Sequence, residues 1–117
     1  MAENVSEKYD NMIEYKKKHT AAATTQVIAA PPSDPDWRIV IDFLMFGGDT
    51  AATMQLLDDT NAEIDGYFWP YGANGGVVME DVFLKGLTKG RGLRYTQVGG
   101  GNWTIICKYH YEEANLP

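Results

Sequence analysis

The sequence predicts an all-β fold, an antiparallel sandwich or barrel preceded by an N-terminal helical arm. Short runs rich in β-branched and aromatic residues recur roughly every 12 residues, and turns rich in Gly, Asn or Asp separate them. The chain has 117 residues and is 44% hydrophobic, which is enough for one domain with its own core and no disulfides. We therefore expect an arm over residues 1–19 and a β-sandwich domain over residues 20–117.

The arm is predicted from helical spacing within residues 3–18. Asn4 is suited to cap such a helix, with Glu7 three residues later as in a capping box. The apolar positions at helical spacing are Val5, Tyr9, Met12 and Ile13. The helix ends in the basic residues Lys16, Lys17 and Lys18. A short helix with so narrow an apolar stripe is marginal alone, so we expect it to lie on the body, a sister subunit or a partner.

The domain is organised around residues 37–46, a run with apolar side chains on both faces. One face carries Trp37, Ile39, Ile41, Phe43 and Met45. The other carries Val40, Leu44 and Phe46, interrupted by Arg38 and Asp42. Because a strand with one wet face alternates apolar and polar residues, this run should lie deep in a sandwich or against a second subunit.

The other strands are predicted on either side of that run. A weak strand over residues 23–29 is followed by a proline-rich break at 31–35, which we interpret as a hinge between the arm with its first strand and the main body. Gly47, Gly48 and Asp49 predict a hairpin-type turn. The later predicted strands are residues 50–57, 62–69, 77–84, 93–98 and 103–111. In the last of these, the residues sharing one face are Trp103, Ile105, Cys107, Tyr109 and Tyr111.

Charge and composition argue against several classes of partner. The net charge is −6, and because residues 1–19 hold four basic and four acidic residues, the whole of it lies on the body. Sheath-like binding to nucleic acid needs a basic stripe, so we expect no nucleic acid partner. The longest apolar run is far shorter than the roughly 20 residues that span a bilayer, and the first residues do not resemble a secretory signal. The lone Cys107 suits a reducing compartment.

No residue pattern predicts catalysis, a cofactor or a metal. The acidic residues over 58–65 do not follow the EF-hand pattern, and the glycines at 90–92 and 99–101 do not open a helix as phosphate-binding loops do. His19 and His110 lack the spacing of a metal pair, and we expect both to be surface or interface imidazoles. His110 should point away from the core, and Cys107 should be a core residue. We therefore predict that the protein is not an enzyme.

The aromatic run at residues 67–71 leaves three interpretations open. Consecutive side chains on a strand face opposite sides, so Tyr67 and Trp69 cannot share a face with Phe68. The run is a loop folded over its own core, an interface with a subunit or partner, or a platform that stacks sugars.

The order of segments resembles that of a known family of virion proteins. Three segments come first, in the order TTQVIAAPP, RIVIDFLMFGGD and ATMQLLDD. A long glycine-containing stretch follows them and ends in NWTIICKYHY. The residues that carry the likeness are Leu84, Leu87, Gly90, Gly92, Leu93, Tyr95, Thr96 and the run 105–111. Over roughly residues 24–111 the chain is similar to capsid decoration (cement) proteins of tailed bacteriophages, which have a jelly-roll or tumour-necrosis-factor-like β-sandwich.

The resemblance implies a structural virion protein that binds the outside of a phage head as a homotrimer and stabilises the shell. Its partners would be the major capsid protein and itself, and it would be made in the host cytoplasm. The expected shell contacts are Val5, Tyr9, Met12, Ile13, Lys16, Lys17 and Lys18. The expected subunit-interface residues are Trp37, Tyr67, Trp69 and Tyr109.

The alternative function is a β-sandwich binding module, as part of a head or tail fibre or as a carbohydrate-binding domain. Its stacking surface would be formed by Tyr67, Trp69, Tyr71 and Trp103.

Overall fold

A computed structural model of the chain describes residues 12–80 and 88–113, without the side chains of residues 65–67. Its strands are β1 (Ile13–His19), β2 (Ala23–Ala29), β3 (Trp37–Gly48), β4 (Ala52–Asp58), β5 (Glu63–Tyr71), β6 (Gly75–Glu80), β7 (Leu93–Val98) and β8 (Trp103–Glu113). The described residues form no helix, and so none that is long and apolar enough to cross a membrane.

The strands form two four-stranded antiparallel sheets. The first sheet has the order β1-β8-β3-β6 and the second has the order β2-β7-β4-β5. Only β4 and β5 are consecutive in the chain and neighbours in a sheet, so every other connection crosses between the sheets. This strand order is that of a jelly roll. The predicted all-β antiparallel sandwich is confirmed.

The core lies between the inner faces of the two sheets. The first sheet contributes Ile39, Ile41, Leu44, Phe46, Trp103, Ile105, Cys107 and Tyr109. The second sheet contributes Ala23, Ile28, Ala29, Met54, Leu56, Ile64, Leu93 and Tyr95. Burial of a large apolar side chain stabilises a fold by about 1.5–3 kcal/mol, so these two layers are the main source of stability.

A bulge in β3 corrects the predicted faces of the central run. The register against β8 shifts between Ile41 and Phe43, which leaves Asp42 unpaired. Because the extra residue reverses the alternation, Leu44 and Phe46 continue the inner face that Ile39 and Ile41 begin. Phe43 and Met45, predicted on the face of Ile39, therefore lie on the outer face of the sheet.

The predicted helix is wrong for residues 13–18, which belong to β1. Ile13 to His19 pair with β8 from Tyr109 back to Trp103. Local spacing favours a helix, but the long-range ladder to β8 satisfies the same backbone groups and adds tertiary contacts. The boundary at residue 19 thus falls at the end of a strand of the sandwich. The rest of the predicted arm, residues 1–11, lies outside the described residues.

Other connections also differ from the predictions. The turn at Gly47 and Gly48 is not a hairpin, because β3 and β4 lie in different sheets. The prolines at 31–35 are not a hinge between an arm and a body, because β2 and β3 belong to the two layers of one core. β5 continues through Pro70 to Tyr71, and β6 begins at Gly75 rather than residue 77.

Candidate interaction surface

The outer face of the first sheet carries an apolar row across its central strands. The register aligns Ile106 of β8 with Met45 of β3, and Met45 with Val78 of β6. Phe43 lies two residues from Met45 on the same face. Val78 is 62% exposed, whereas Phe43, Met45 and Ile106 are half-buried. These four side chains, called the apolar row below, lie on the side of the sheet away from the core.

The three lysines of β1 are divided between the two sides of the strand. Lys16 pairs with Ile106 and Lys18 with Thr104, so both extend from the outer face beside the apolar row. Lys17 pairs with Ile105, whose side chain lies in the core, so it extends from the opposite side. All three lysines are exposed, and within residues 12–80 and 88–113 none of them forms an ion pair.

The other predicted shell contacts are less well placed on this surface. Met12 is half-buried and precedes β1. Ile13 pairs with the core residue Tyr109 and is 44% exposed, so it borders the inner side of the sheet. Val5 and Tyr9 lie outside the described residues.

A chain of charged side chains runs along the outer face next to the apolar row. Asp42, at the bulge, is 7% exposed, and its Oδ2 lies 2.6 Å from His110 Nδ1. His110 Nε2 lies 3.4 Å from Glu112 Oε2, and Arg38 Nη2 donates to Glu112 Oε1 at 2.7 Å. The hydrogen bond from Arg38 is the main cause that lowers the pKa of Glu112. His110 points away from the core as predicted.

This charged chain has the geometry of a structural network. Each carboxylate faces a cationic or imidazole partner, so the buried carboxylate of Asp42 has a hydrogen-bond partner. In the described part of the chain, no three His, Cys, Asp or Glu side chains are arranged to hold a metal ion. Cys107 is fully buried, and burial raises the pKa of its thiol to about 12, as expected of a core residue.

The four predicted subunit-interface residues lie in different environments. Trp37 is 38% exposed at the start of β3. Tyr109 is 6% exposed and packs edge-on against Tyr111, so its burial is explained within one chain. Trp69 packs on Phe46 with ring centroids 5.5 Å apart. The side chain of Tyr67 is not among those described.

A groove of about 490 Å³ at one end of the sandwich was not predicted from the sequence. It is lined by Pro31, Pro32, Ser33, Asp34, Trp37 and Tyr111, and we call it the Trp37 groove. The Tyr111 hydroxyl donates to the carbonyl of Ala30 at 2.9 Å, which fixes the prolines over the end of β8. The signal in the sequence was a stiff proline segment, residues 31–35, with a tryptophan two residues after its end.

The aromatic residues of the alternative sugar platform do not form one surface. Trp103 is 2% exposed, and its indole N–H donates to the carbonyl of Ala21 at 2.8 Å. The Tyr71 hydroxyl donates to Gln97 Oε1 at 2.6 Å, and the Tyr71 ring packs on Phe46. The prediction of a stacking surface is therefore wrong for Trp103, because the alternation of β8 points this ring into the core.

His19, predicted as a surface or interface imidazole, is half-buried and belongs to a cluster between the sheets. Its ring stacks on Trp103 with centroids 4.3 Å apart, and its Nε2 lies 2.7 Å from the Tyr95 hydroxyl. The Tyr15 hydroxyl lies 2.8 Å from the same oxygen. Burial lowers the pKa of His19, and the nearby Lys17 lowers it further. The cluster ties the edge strand β1 to β7 of the second sheet.

Comparison with known proteins finds structures of a viral coat protein among the structural neighbours. No family model and no curated protein matches the chain. A structure of the Tobacco streak virus coat protein aligns with 92% of this chain and 90% of its own, at 17% identity and a TM-score of 0.35. A structure of that coat protein as a dimer aligns over 85% and 86% at the same identity and TM-score. Both structures are of a viral coat protein, but likeness at this level bears on neither function nor assembly.

Proposed function

We propose that the protein is a structural virion protein, which assembles as a homotrimer and decorates the outside of a phage head. The observation that supports this is the two-sided apolar character of β3. Its inner residues fill the core of the chain, whereas Phe43 and Met45 face outward, beside Ile106 and Val78. An outer face of this composition, rimmed by charged side chains, is typical of a protein–protein interface.

The second sheet gives a useful contrast to this face. The outer positions of β4 are Thr53 and Gln55, which alternate with the buried Ala52, Met54 and Leu56. That is the ordinary pattern of a strand with one face in water. The outer face of the second sheet also holds exposed apolar residues, Val98 beside Thr53 and Phe68 beside Gln55. We propose the outer face of the first sheet as the subunit contact because there the apolar residues include Phe43 and Met45 of the central strand β3, whereas β4 carries Thr53 and Gln55.

Substitution of Met45 tests the subunit contact. We expect Met45→Glu to convert a trimer to monomers, because a carboxylate in the apolar row would be desolvated without a partner. Thr53→Glu is the matched control on the outer face of the second sheet and should leave the trimer intact. Sedimentation equilibrium measures both variants. A Met45→Glu protein with the wild-type mass would exclude the outer face of the first sheet as the interface.

The proposed contact with the shell lies at the N-terminus. Val5, Tyr9, Met12 and Ile13 remain the proposed contacts with the major capsid protein. Ile13 is the first residue of β1, and the three exposed lysines lie further along the same strand. A trimer presents three such segments at once, and linked contacts raise the effective concentration of each on the shell. The role we propose is therefore mechanical reinforcement and involves no catalysis.

Truncation tests the shell contact. Residues 13–19 belong to a strand, so a deletion must end at residue 11 to leave the sheet complete. We expect the truncated protein to fold and form trimers, but no longer to sediment with DNA-free expanded phage heads. The full chain with Thr53→Glu is the control for binding. Unchanged cosedimentation of the truncated protein would exclude Val5 and Tyr9 as shell contacts, because Met12 and Ile13 remain in it.

The Trp37 groove favours one alternative function, a carbohydrate-binding module. Its volume of about 490 Å³ lies within the range of small-ligand sites, and it combines two aromatic rings with a carboxylate. A glycan array distinguishes the two functions. Selective binding of one glycan class that is lost in Trp37→Ala would support the alternative, and no selective binding would support the structural role.

A further inference from the structure

We infer that the copies associate head to tail, with the basic outer edge of one copy bound to the Trp37 groove of the next. The inference rests on the proposed homotrimer and names its two contact surfaces. A ring of three identical subunits needs a heterologous interface, in which two different patches of one chain are complementary. Residues 12–80 and 88–113 include a basic patch and an acidic patch that meet this requirement.

The basic patch is formed by Lys16 and Lys18 beside Ile106 and Met45. The protein carries a net charge of −6, yet these two lysines extend from an edge strand without an ion pair in the described part of the chain. By contrast Arg38, Lys89, Arg91 and Lys108 each lie within 4.0 Å of a carboxylate. Lysines that have no ion pair among the described residues and lie beside an apolar row suit a partner surface that is acidic and partly apolar.

The acidic patch is the Trp37 groove and its rim. Asp34 lines the groove, and the backbone N–H of Asp36 donates to its Oδ1 at 2.9 Å. The carboxylate of Asp36 is 59% exposed and lies 3.4 Å from Lys89 Nζ, and Glu113 is exposed on the strand position paired with Trp37. Prolines and a part-exposed tryptophan give a floor on which the aliphatic part of a lysine can pack and its ammonium can lie over the ring.

The two patches cannot meet within one chain. Lys18 pairs with Thr104 near the start of β8, and Trp37 pairs with Glu113 at its end. At roughly 3.3 Å per residue, these positions are about 30 Å apart along the strand. The lysines of one copy therefore reach carboxylates of this groove only in another copy, which makes a second copy the occupant that fits.

Reversal of charge on single faces of β1 is the decisive test. We expect Lys16→Glu with Lys18→Glu to weaken trimer formation at least about tenfold in sedimentation equilibrium. Lys17→Glu is the matched control, because the same change on the other side of the same strand should leave the mass unchanged. Equal effects of both proteins would contradict the assignment of faces.

Charge reversal at the rim of the Trp37 groove is the complementary test. Asp36→Lys with Glu113→Lys should weaken the trimer to a similar degree, and the four substitutions in one chain should restore it. These positions avoid Asp34, whose side chain accepts a backbone hydrogen bond of the turn. Circular dichroism verifies that each protein is folded. If a variant does not fold, raising the salt concentration on the wild-type protein from about 50 to about 500 mM must still weaken the trimer.

The outcomes separate this inference from the proposed function. A wild-type protein that is monomeric overturns both. A wild-type trimer whose mass is insensitive to salt, to the two reversals and to their combination overturns the head-to-tail contact and leaves the homotrimer standing.

Discussion

Asp42 is the clearest case of a residue whose environment the sequence did not reveal. In the sequence, Asp42 is simply a polar residue that interrupts an apolar face of the predicted strand. In the structure it lies at the bulge of β3, where it is 7% exposed and its carboxylate is 2.6 Å from His110 Nδ1. A buried carboxylate without a partner is costly, so the imidazole is needed for stability.

Removal of this imidazole should destabilise the fold. We expect His110→Ala to lower the free energy of unfolding by about 1–3 kcal/mol, because Asp42 loses its hydrogen-bond partner. Thr104→Ala, on the same face of the same strand, should cost under about 0.5 kcal/mol. Urea denaturation measures both variants. Equal costs would mean that the charged chain does not stabilise the sheet.

His19 gives the protein a predicted dependence of stability on pH. Its pKa in the folded chain is below the ordinary value of 6.5, because burial and Lys17 disfavour the charged form. The unfolded chain therefore binds more protons over this interval, and stability is fully present above pH 6.5 and falls as the pH drops through the folded pKa.

The pH range between 6.5 and about 5 separates the titration of His19 from that of the carboxylates with lowered pKa values. Asp49, Asp58 and Glu112 also have lowered pKa values, but their contributions are lost below the ordinary carboxylate range. We expect His19→Gln to flatten the stability profile between pH 7.5 and about 5 in urea denaturation. An equally steep profile in that variant would show that another group causes the loss of stability as the pH falls.

At the scale of the strands, the local sequence predicted a strand correctly where the alternation of apolar and polar residues and the flanking turn residues indicated the same bounds. Leu93–Val98 was predicted with the bounds it has, and the last strand begins at Trp103 as predicted, because Gly-rich turns mark both. The prediction for β1 was wrong. A few apolar residues there have helical spacing, but the segment pairs with a strand about 90 residues away in the sequence. Pairing between segments so far apart in the sequence cannot be recognised from the local pattern of residues.

The edge strand β2 contains a strained bulge. The register against β7 shifts between Ala23 and Gln26, and Thr25 within it has φ of 52°. A β-branched residue rarely adopts this left-handed conformation, and such strain costs about 1–3 kcal/mol.

Glycine should relieve this strain. We expect Thr25→Gly to raise the free energy of unfolding or leave it unchanged, because the gain offsets the greater flexibility of glycine in the unfolded chain. Thr24→Gly, one residue earlier at an exposed position, should cost about 0.5–1 kcal/mol. Chemical denaturation compares the two proteins. A larger loss for Thr25→Gly would contradict the strain.

At the scale of the molecule, the fold class was readable but the candidate surface was not. Strands and turns predict a sandwich, whereas the jelly-roll order depends on which strands pair across the two sheets. The division of the three lysines requires the register of β1 on β8. The Trp37 groove requires a contact between Tyr111 and Ala30, which are 81 residues apart. These features depend on which distant segments pair in the folded chain, so they cannot be predicted from the periodicity of the sequence.

The central claim is that the outer face of the first sheet is buried between subunits. Light scattering of the purified wild-type protein tests it most directly, because the mass requires no knowledge of the shell. The account predicts a mass of about 39 kDa, three times the 13.0 kDa of the chain. A mass of 13.0 kDa across the accessible concentration range would contradict it, because the apolar row would then face water in the free protein.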